Sequence, residues 1–134
     1  MVSKALFSSN SQDWSTPIDF YISLEKEFYF DCDPCPIGGE DSLFKFDGLK
    51  DEWGKVNFVN PPYNKVKDWV KKGFDEYKKG KIVVFLIPAR TDTKWFHEYI
   101  YMKDYAEIRF IKGRLKFGGS KNSVPFPSML VIFK

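Results

Sequence analysis

The sequence has 134 residues, of which 43% are hydrophobic and 29% are charged. At roughly 150 residues per domain this length fits one compact domain, and the composition excludes a chain that is disordered throughout. No apolar run reaches the roughly 18 to 20 residues that cross a bilayer, and the first ten residues lack the apolar stretch of a signal peptide. We therefore expect a single cytoplasmic domain over residues 1–134, with residues 1–11 flexible.

Charge is distributed unevenly along the chain. The formal net charge is only +3, but residues 13–52 hold eleven acidic residues against three lysines, and residues 108–134 hold six basic residues and no acid. Phosphates gain Coulomb energy near a basic segment and release counterions there, so the C-terminal segment is a candidate surface for a polyanion. A basic face that is merely solvated is the alternative.

The first predicted helix covers about residues 17–27. Thr16 fits an N-cap, Pro17 fits the first helical position, and apolar residues then recur at helical spacing. Residues 28–32 are predicted as a short strand. That strand runs into the loop 33–39, where two prolines and two glycines stop regular structure.

A second strand is predicted over residues 56–59 and ends sharply at residues 60–63, since proline cannot donate to a sheet ladder. Asn64 is expected to cap the next helix and Gly80 to end it. The apolar stripe of this helix consists of Val66, Trp69, Val70, Phe74 and Tyr77.

The apolar run 81–87 is typical of a central strand that is covered on both faces of a parallel sheet. A short aromatic helix is expected after residue 92, and the tail is predicted to form a β-hairpin and a final strand. This order of elements predicts a three-layer α/β domain.

The most informative motif is Asn60-Pro61-Pro62-Tyr63. In an open α/β sheet, ligands bind at the carboxyl ends of the strands, and Asn60 stands at such an end. The two prolines fix φ and remove two N–H groups, which leaves a rigid turn that is rich in acceptors and poor in donors. Such a turn suits a substrate with an amino group, and a plain strand-ending turn is the structural alternative.

This tetrapeptide resembles the signature of amino methyltransferases, which transfer a methyl group from S-adenosylmethionine to an exocyclic nitrogen. An ordered set of segments over roughly residues 12–133 is similar to the small phage-type DNA N6-adenine methyltransferases; it comprises residues 13–17, 30–35, 47–49 with Trp53, 60–63, 87–90, 112–117 and 125–127. The resemblance implies a reduced Rossmann-like methyltransferase sheet, mostly parallel with a C-terminal antiparallel hairpin.

The resemblance also implies methylation of the N6 amine of adenine in DNA. The Asn60 side-chain oxygen and the Pro61 carbonyl would each accept one N6–H and stabilise the positive charge that develops on nitrogen, so no strong base is needed. Pro62 completes the rigid turn, and Tyr63 would stack on the adenine ring.

The loop 33–39, which would bind the cofactor, lacks the G-x-G-x-x-G pattern of many nucleotide-binding folds. By resemblance, Asp33 would accept from the methionine amino group, Pro34 would shape the pocket and Thr16 would lie near the carboxylate. Asp47 is a candidate partner for a cofactor hydroxyl or amine. The complete set of candidate S-adenosylmethionine contacts is Thr16, Pro17, Asp33, Pro34, Cys35, Asp47 and Asn60.

Bases and aromatics alternate around the predicted hairpin, where Arg109 and Lys121 are further basic residues and Phe110 and Phe126 further aromatics. The candidate DNA contacts are Arg90, Lys112, Arg114, Lys116 and Phe117. Phe117 would cover the second face of the adenine. A base inside a duplex cannot reach an enclosed cofactor, so the DNA partner would offer a flipped adenine or a single strand.

Other hypotheses remain open from the sequence. Cys32 and Cys35 form a C-x-x-C pair, but with His97 as the only histidine no metal site is predicted. His97 is expected to be structural or exposed. A non-catalytic nucleic-acid-binding module is one alternative function, and methylation of cytosine N4 or of a protein glutamine is another.

Overall fold

The computed structural model describes residues 16–36, 46–116 and 124–134. In chain order the described elements are α1 (Ile18–Phe28), β1 (Val56–Val59), α2 (Val66–Tyr77), β2 (Ile82–Pro88), α3 (Lys94–Tyr99), β3 (Ala106–Phe110) and β4 (Ser128–Phe133). The expected flexibility of residues 1–11 lies outside the described residues. None of the described helices is long and apolar enough to cross a membrane.

The four strands form one mixed sheet in the order β1-β2-β4-β3. β1 pairs with β2 in parallel, whereas β4 is antiparallel to both β2 and β3. The expected α/β class is confirmed, but the expectation of a mostly parallel sheet is wrong. The reason is that β4 inserts between β2 and β3 in the opposite direction, without the helical crossover that a parallel neighbour needs.

Helices cover both faces of the sheet. On the α1 face the core contains Leu24, Phe58, Val84, Leu86, Leu130 and Ile132. On the other face, α2 and α3 pack on a second cluster that includes Val70, Phe96, Val83, Phe85, Val131 and Phe133. Because alternate residues of β2 enter opposite clusters, this strand is buried on both sides, as its unbroken apolar run predicts.

The predicted strand over residues 28–32 is wrong. α1 continues through Phe28, Tyr29 ends it with a left-handed φ of 55°, and the segment then makes a single parallel bridge between Cys32 and Asn57. The Asp31 carboxylate accepts hydrogen bonds from the backbone N–H groups of Lys55 and Val56, at 3.2 and 3.0 Å. A side chain therefore takes the place that a strand's backbone carbonyl would occupy.

Two predicted helix caps are also wrong. Pro17 rather than Thr16 precedes α1 and makes no side-chain cap. Asn64 lies within a short 3-10 helix, Tyr63–Lys65, that leads into α2, and the residue before α2 is Lys65. The predicted end of this helix is confirmed by Gly80, which follows it with a left-handed φ of 95°.

The predicted antiparallel pairing at the C-terminal end is confirmed by β3 and β4, but the described part of the tail contains no hairpin in addition to the final strand. β3 and β4 pair with each other, and residues 111–116 and 124–127 contain no strand. The N–H of Val124 donates to the carbonyl of Leu115 at 3.0 Å, so this hydrogen bond brings the two described ends of the connection together.

A fully buried carboxylate, Glu76 of α2, joins the beginnings of the two parallel strands. It accepts from the backbone N–H of Trp53 at 2.6 Å and from Lys81 Nζ at 2.8 Å. Lys79 Nζ lies 2.8 Å from its other oxygen. Burial alone would raise the pKa of Glu76, but hydrogen bonds from Lys79, Lys81 and the Trp53 N–H outweigh it and lower the pKa to about 2.

We expect Glu76→Gln to lower the free energy of unfolding by about 2–4 kcal/mol at pH 7, because the partly buried Lys81 ammonium group loses its buried anion. The contribution of Glu76 is present above the ordinary carboxyl pKa and is lost as the pH falls from about 5 toward 2. Urea unfolding at pH 7 and pH 3 measures both effects.

The matched control is Asp75→Asn, which removes an exposed ion pair to Lys71 at 3.2 Å on the same helix. We expect this control to change stability by less than about 0.5 kcal/mol. Equal losses in the two variants would contradict the role assigned to Glu76.

Candidate active site

The site lies at the edge of the sheet where three parallel segments end. The bridge between Cys32 and Asn57 and the pairing of β1 with β2 set these segments side by side. Asp33 follows the first segment, Asn60 follows β1 and Arg90 stands two residues after β2. Side chains that are far apart in sequence therefore project from one edge, as expected for a ligand site in an α/β sheet.

The Asn60 side chain is held by Thr16. Asn60 Nδ2 donates to Thr16 Oγ1 at 3.0 Å, and Thr16 is only 2% exposed. Because the amide nitrogen is directed at this hydroxyl, the orientation of the amide is set and its oxygen forms the opposite, accepting end. The structure thus brings together a predicted catalytic residue and a predicted cofactor contact.

A small pocket lies beside this turn, with a cavity volume of about 10 Å³, which is roughly the space of one water molecule. It is lined by Asn60, Pro61, Tyr63, Leu86, Ile87, Pro88, Phe126 and Ser128. Pro62 precedes the 3-10 helix and does not line it. The pocket wall thus combines the acceptor-rich turn with apolar side chains of β2 and with residues at the start of β4.

Tyr63 is part of an aromatic pair in this pocket. Its ring stacks on Phe126, with centroids 5.3 Å apart and an angle of 5° between the planes. The Arg90 guanidinium lies 5.0 Å from the centre of the same Tyr63 ring. A cation near an aromatic face is attracted by the ring quadrupole, so Arg90 and Phe126 together hold Tyr63 in place.

Asp33 is a half-buried residue whose carboxylate accepts one described hydrogen bond, from the N–H of Cys35 at 3.2 Å. Burial raises the pKa of the Asp33 carboxyl to about 6, and the Cys35 N–H opposes only part of that rise. Burial, with the negative charges of Glu25 and Asp33, also raises the pKa of Tyr21 to about 12. No described cation balances Asp33, so a bound cation would favour its charged form.

Pro34 is buried against a turn that contains Asp47. A Cβ on Gly48 would lie 2.0 Å from the Pro34 carbonyl oxygen, so only glycine permits this approach. Trp53 Nε1 donates to the Gly48 carbonyl at 2.6 Å and anchors the turn. The Asp47 carboxylate accepts from the N–H of Leu49 at 3.0 Å, and its role toward a cofactor stays a prediction.

The predicted DNA contacts are placed unevenly. Lys112, Arg114 and Lys116 are exposed beyond β3, whereas Phe117 and Lys121 lie outside the described residues. Arg109 is instead committed to ion pairs with Glu107 and with Glu27, the latter at 2.6 Å. The expectation that Arg109 contributes to the free basic surface is therefore wrong, because acids from α1 and its own strand neutralise it.

The cysteines and the histidine stand outside the proposed chemistry. Burial raises the pKa of the Cys32 thiol, which disfavours the reactive thiolate. Residues 16–36, 46–116 and 124–134 contain no group of three His, Cys, Asp or Glu side chains able to hold a metal ion. His97 is exposed on α3, with Nε2 2.8 Å from the Thr91 carbonyl oxygen, which confirms its expected structural or surface position.

Sequence reasoning missed Phe126, the partner of Tyr63, and Ser128, as well as the β2 residues that line the pocket. Phe126 was assigned to the basic tail, although its place between two prolines just before an apolar strand marks it as a fixed position. Ser128 is the polar first residue of that strand. Only the antiparallel pairing of β4 with β2 shows that both residues reach the edge near Asn60.

A ligand site at the carboxyl edge of an α/β sheet is typical of proteins that bind nucleotides or nucleotide cofactors. The particular family follows from comparison with known proteins. The family model described as DNA N-6-adenine-methyltransferase (Dam) matches residues 4–134, and the chain belongs to this family. The family expected from the ordered motifs is thereby confirmed.

A relative supports the same family. The protein named DNA N-6-adenine-methyltransferase of Escherichia phage T1 is 32% identical over an alignment of length 110, which covers 76% of this chain and 45% of that protein. The chain thus spans less than half the length of this relative. No solved structure matches the chain.

We expect Asp33→Asn to raise the free energy of unfolding by about 1–3 kcal/mol at pH 7.5, because it removes a buried negative charge while keeping an acceptor for the Cys35 N–H. The folded state holds the Asp33 proton more tightly than the unfolded state, so this destabilisation appears as the pH rises from about 4 to about 6. It is absent below that window.

Urea unfolding at pH 7.5 and pH 4 tests this expectation, with Asp104→Asn as an exposed control for charge removal. The gain in stability should be seen at pH 7.5 only and not in the control. A gain of the same size at both pH values would contradict the buried-charge explanation.

Proposed function

We propose that this chain methylates the N6 amine of adenine in DNA with S-adenosylmethionine as methyl donor, and that it does so in the cytoplasm. Membership of the family supports the proposal. The observation that carries it is the turn after β1, where Thr16 holds the Asn60 amide at the rim of a pocket. The mixed four-stranded sheet would then be a reduced form of the Rossmann-like methyltransferase sheet.

The described residues fit the charge of this methyl donor. Asp33 is an unbalanced carboxylate close to the edge of the sheet, and the amino group of the methionine part is a cation that would pair with it. Thr16, Pro17, Pro34, Cys35 and Asp47 are the remaining residues that would surround the donor. The close packing of Gly48 on Pro34 keeps the Asp47 turn next to this surface.

S-adenosylmethionine would supply, when bound, a methyl group on a positively charged sulfur. The methyl–sulfur bond would break as the methyl–nitrogen bond forms, which would leave a neutral thioether, and the methylated nitrogen would then lose one proton to water. The adenine amine is a weak nucleophile because its lone pair is delocalised into the ring. Asn60 Oδ1 and the Pro61 carbonyl would accept hydrogen bonds from its two N–H groups, which draws the nitrogen toward tetrahedral geometry and localises the lone pair on it. Both acceptors also stabilise the positive charge that develops on nitrogen.

The aromatic pair would bind the base. Phe126, whose ring is parallel to that of Tyr63, would cover the second face of the adenine. The sequence analysis gave this role to Phe117, which lies outside the described residues. Arg90 lies on the same aromatic group and is exposed, so it can reach a phosphate of the target strand. An adenine reaches this pocket only when it leaves the duplex stack or comes from a single strand.

We expect Asn60→Ala to lower kcat for methylation at least about 100-fold, because it removes a preorganised acceptor for the amine. Affinity for S-adenosylmethionine should persist, since Asp33 would still hold the donor. The assay uses labelled S-adenosylmethionine and unmethylated DNA of varied sequence, with mass spectrometry of the modified nucleoside. Calorimetry measures donor binding separately.

Asn64→Ala is the matched control, because this exposed asparagine lies four residues further along the same turn. Its turnover should equal that of the unmodified protein. Absence of N6-methyladenine despite donor binding would reject the proposal, and DNA binding without donor affinity would favour a non-catalytic module. If the product is cytosine methylated at N4, or a methylated protein glutamine, the role of the turn would stand but the methyl acceptor would not be adenine.

The exposed cations beyond β3 would contact phosphates. The logarithm of the DNA-binding constant falls as the logarithm of the salt concentration rises. Each lost phosphate contact reduces the magnitude of this slope by about 0.9 for duplex DNA. We expect Lys112→Ala with Arg114→Ala and Lys116→Ala to reduce this slope by about 2 to 3. Lys67→Ala with Lys78→Ala, which removes exposed cations of α2 and its end, is the control and should leave it unchanged. Equal slopes in all proteins would contradict the assigned surface.

A further inference from the structure

Ser128 occupies a constrained position at the start of β4. It pairs with Pro88 across the sheet, and its carbonyl accepts from the N–H of Ile111 at 3.2 Å. The residue is 2% exposed, and its hydroxyl has no hydrogen-bond partner within residues 16–36, 46–116 and 124–134. A buried hydroxyl without a partner is unfavourable, and natural proteins retain few such groups unless they have a role.

The surroundings of Ser128 suggest that role. Ser128 lines the same pocket as Asn60, Pro61 and the Tyr63–Phe126 pair. Alternation along β4 places it on the face that also carries Leu130 and Ile132, which is the face of the Tyr63 cluster. Pro88 opposite Ser128 has no N–H, and Leu86 and Ile87 add apolar surface. Ser128 therefore adds a buried hydroxyl that no described group binds to an otherwise apolar part of the wall.

A base that presents its amine to Asn60 and Pro61 also brings a ring nitrogen close to the same edge. In adenine both ring nitrogens that flank the amine, N1 and N7, are hydrogen-bond acceptors. A serine hydroxyl can donate to either. We propose that Ser128 donates a hydrogen bond to one of these two nitrogens and so positions the base, an inference that rests on the proposed methylation of adenine.

The experiment compares the unmodified protein with Ser128→Ala on three synthetic DNA pools of random sequence, in which every adenine is retained, replaced by 1-deazaadenine or replaced by 7-deazaadenine. On adenine DNA the variant should lose about tenfold in kcat/KM, as expected for one hydrogen bond. On the analogue that lacks the bonded nitrogen, the two proteins should be equally active. On the other analogue the tenfold ratio should persist.

Controls separate this contact from a structural effect. Ser128→Ala should melt at the same or a higher temperature than the unmodified protein, because it removes an unpaired buried hydroxyl. Ser128→Cys fills similar space with a weaker donor and should share the kinetic loss. Ser23→Ala, which removes an exposed hydroxyl bonded to the Phe20 carbonyl, should change nothing.

Two outcomes would overturn the proposed Ser128 contact and leave the proposed methylation of adenine intact. One is full activity of Ser128→Ala on adenine DNA, and the other is an unchanged tenfold ratio on both analogues. The second result would show that the loss does not depend on either ring nitrogen. If the unmodified protein forms no N6-methyladenine on the adenine pool, the proposed function fails, and the role of Ser128 fails with it.

Discussion

Glu76 fixes the starting points of the two parallel strands, and the geometry of the site depends on it. From α2 its carboxylate accepts from the N–H of Trp53, just before β1, and from Lys81, just before β2. Lys81 also donates to the Trp53 carbonyl at 2.8 Å. Because one group binds the chain just before each strand, it sets the register of β1 on β2. In this register Val59, the last residue of β1, pairs with Phe85, and β2 continues past Asn60 to Pro88.

Local patterns in the sequence were sufficient to predict α1, β1, β2, α3 and the sharp turn after β1. Each of these has an apolar periodicity or a proline that few other backbone conformations would accommodate. They failed where a distant group intervenes. Residues 28–32 have strand composition, but the Asp31 carboxylate takes the N–H groups of Lys55 and Val56. Likewise no local pattern reveals that β4 enters the sheet antiparallel to β2.

For the candidate site too, residues within one short motif could be predicted, whereas contacts between distant residues could not. Asn60, Pro61 and Tyr63 were predicted together because they are adjacent in one motif, and the structure places all three on one pocket. Their catalytic roles stay predictions. Thr16 does not cap α1 as expected, and its hydroxyl accepts a hydrogen bond from the Asn60 amide, 44 positions away, which no local pattern predicts. Its contact with a cofactor stays a prediction. Arg109 was misassigned because Glu27, its partner, is 82 positions distant. Such pairings arise from tertiary structure alone.

The Tyr63–Phe126 stack has a consequence for association kinetics. Two parallel rings with centroids 5.3 Å apart leave no room for a third ring, which needs roughly 7 Å between its neighbours at van der Waals separation. A flat solute can therefore intercalate only after the rings separate. Its observed binding rate then levels off at high concentration, at the frequency with which the protein opens by itself, and this plateau is a property of the chain and not of the solute.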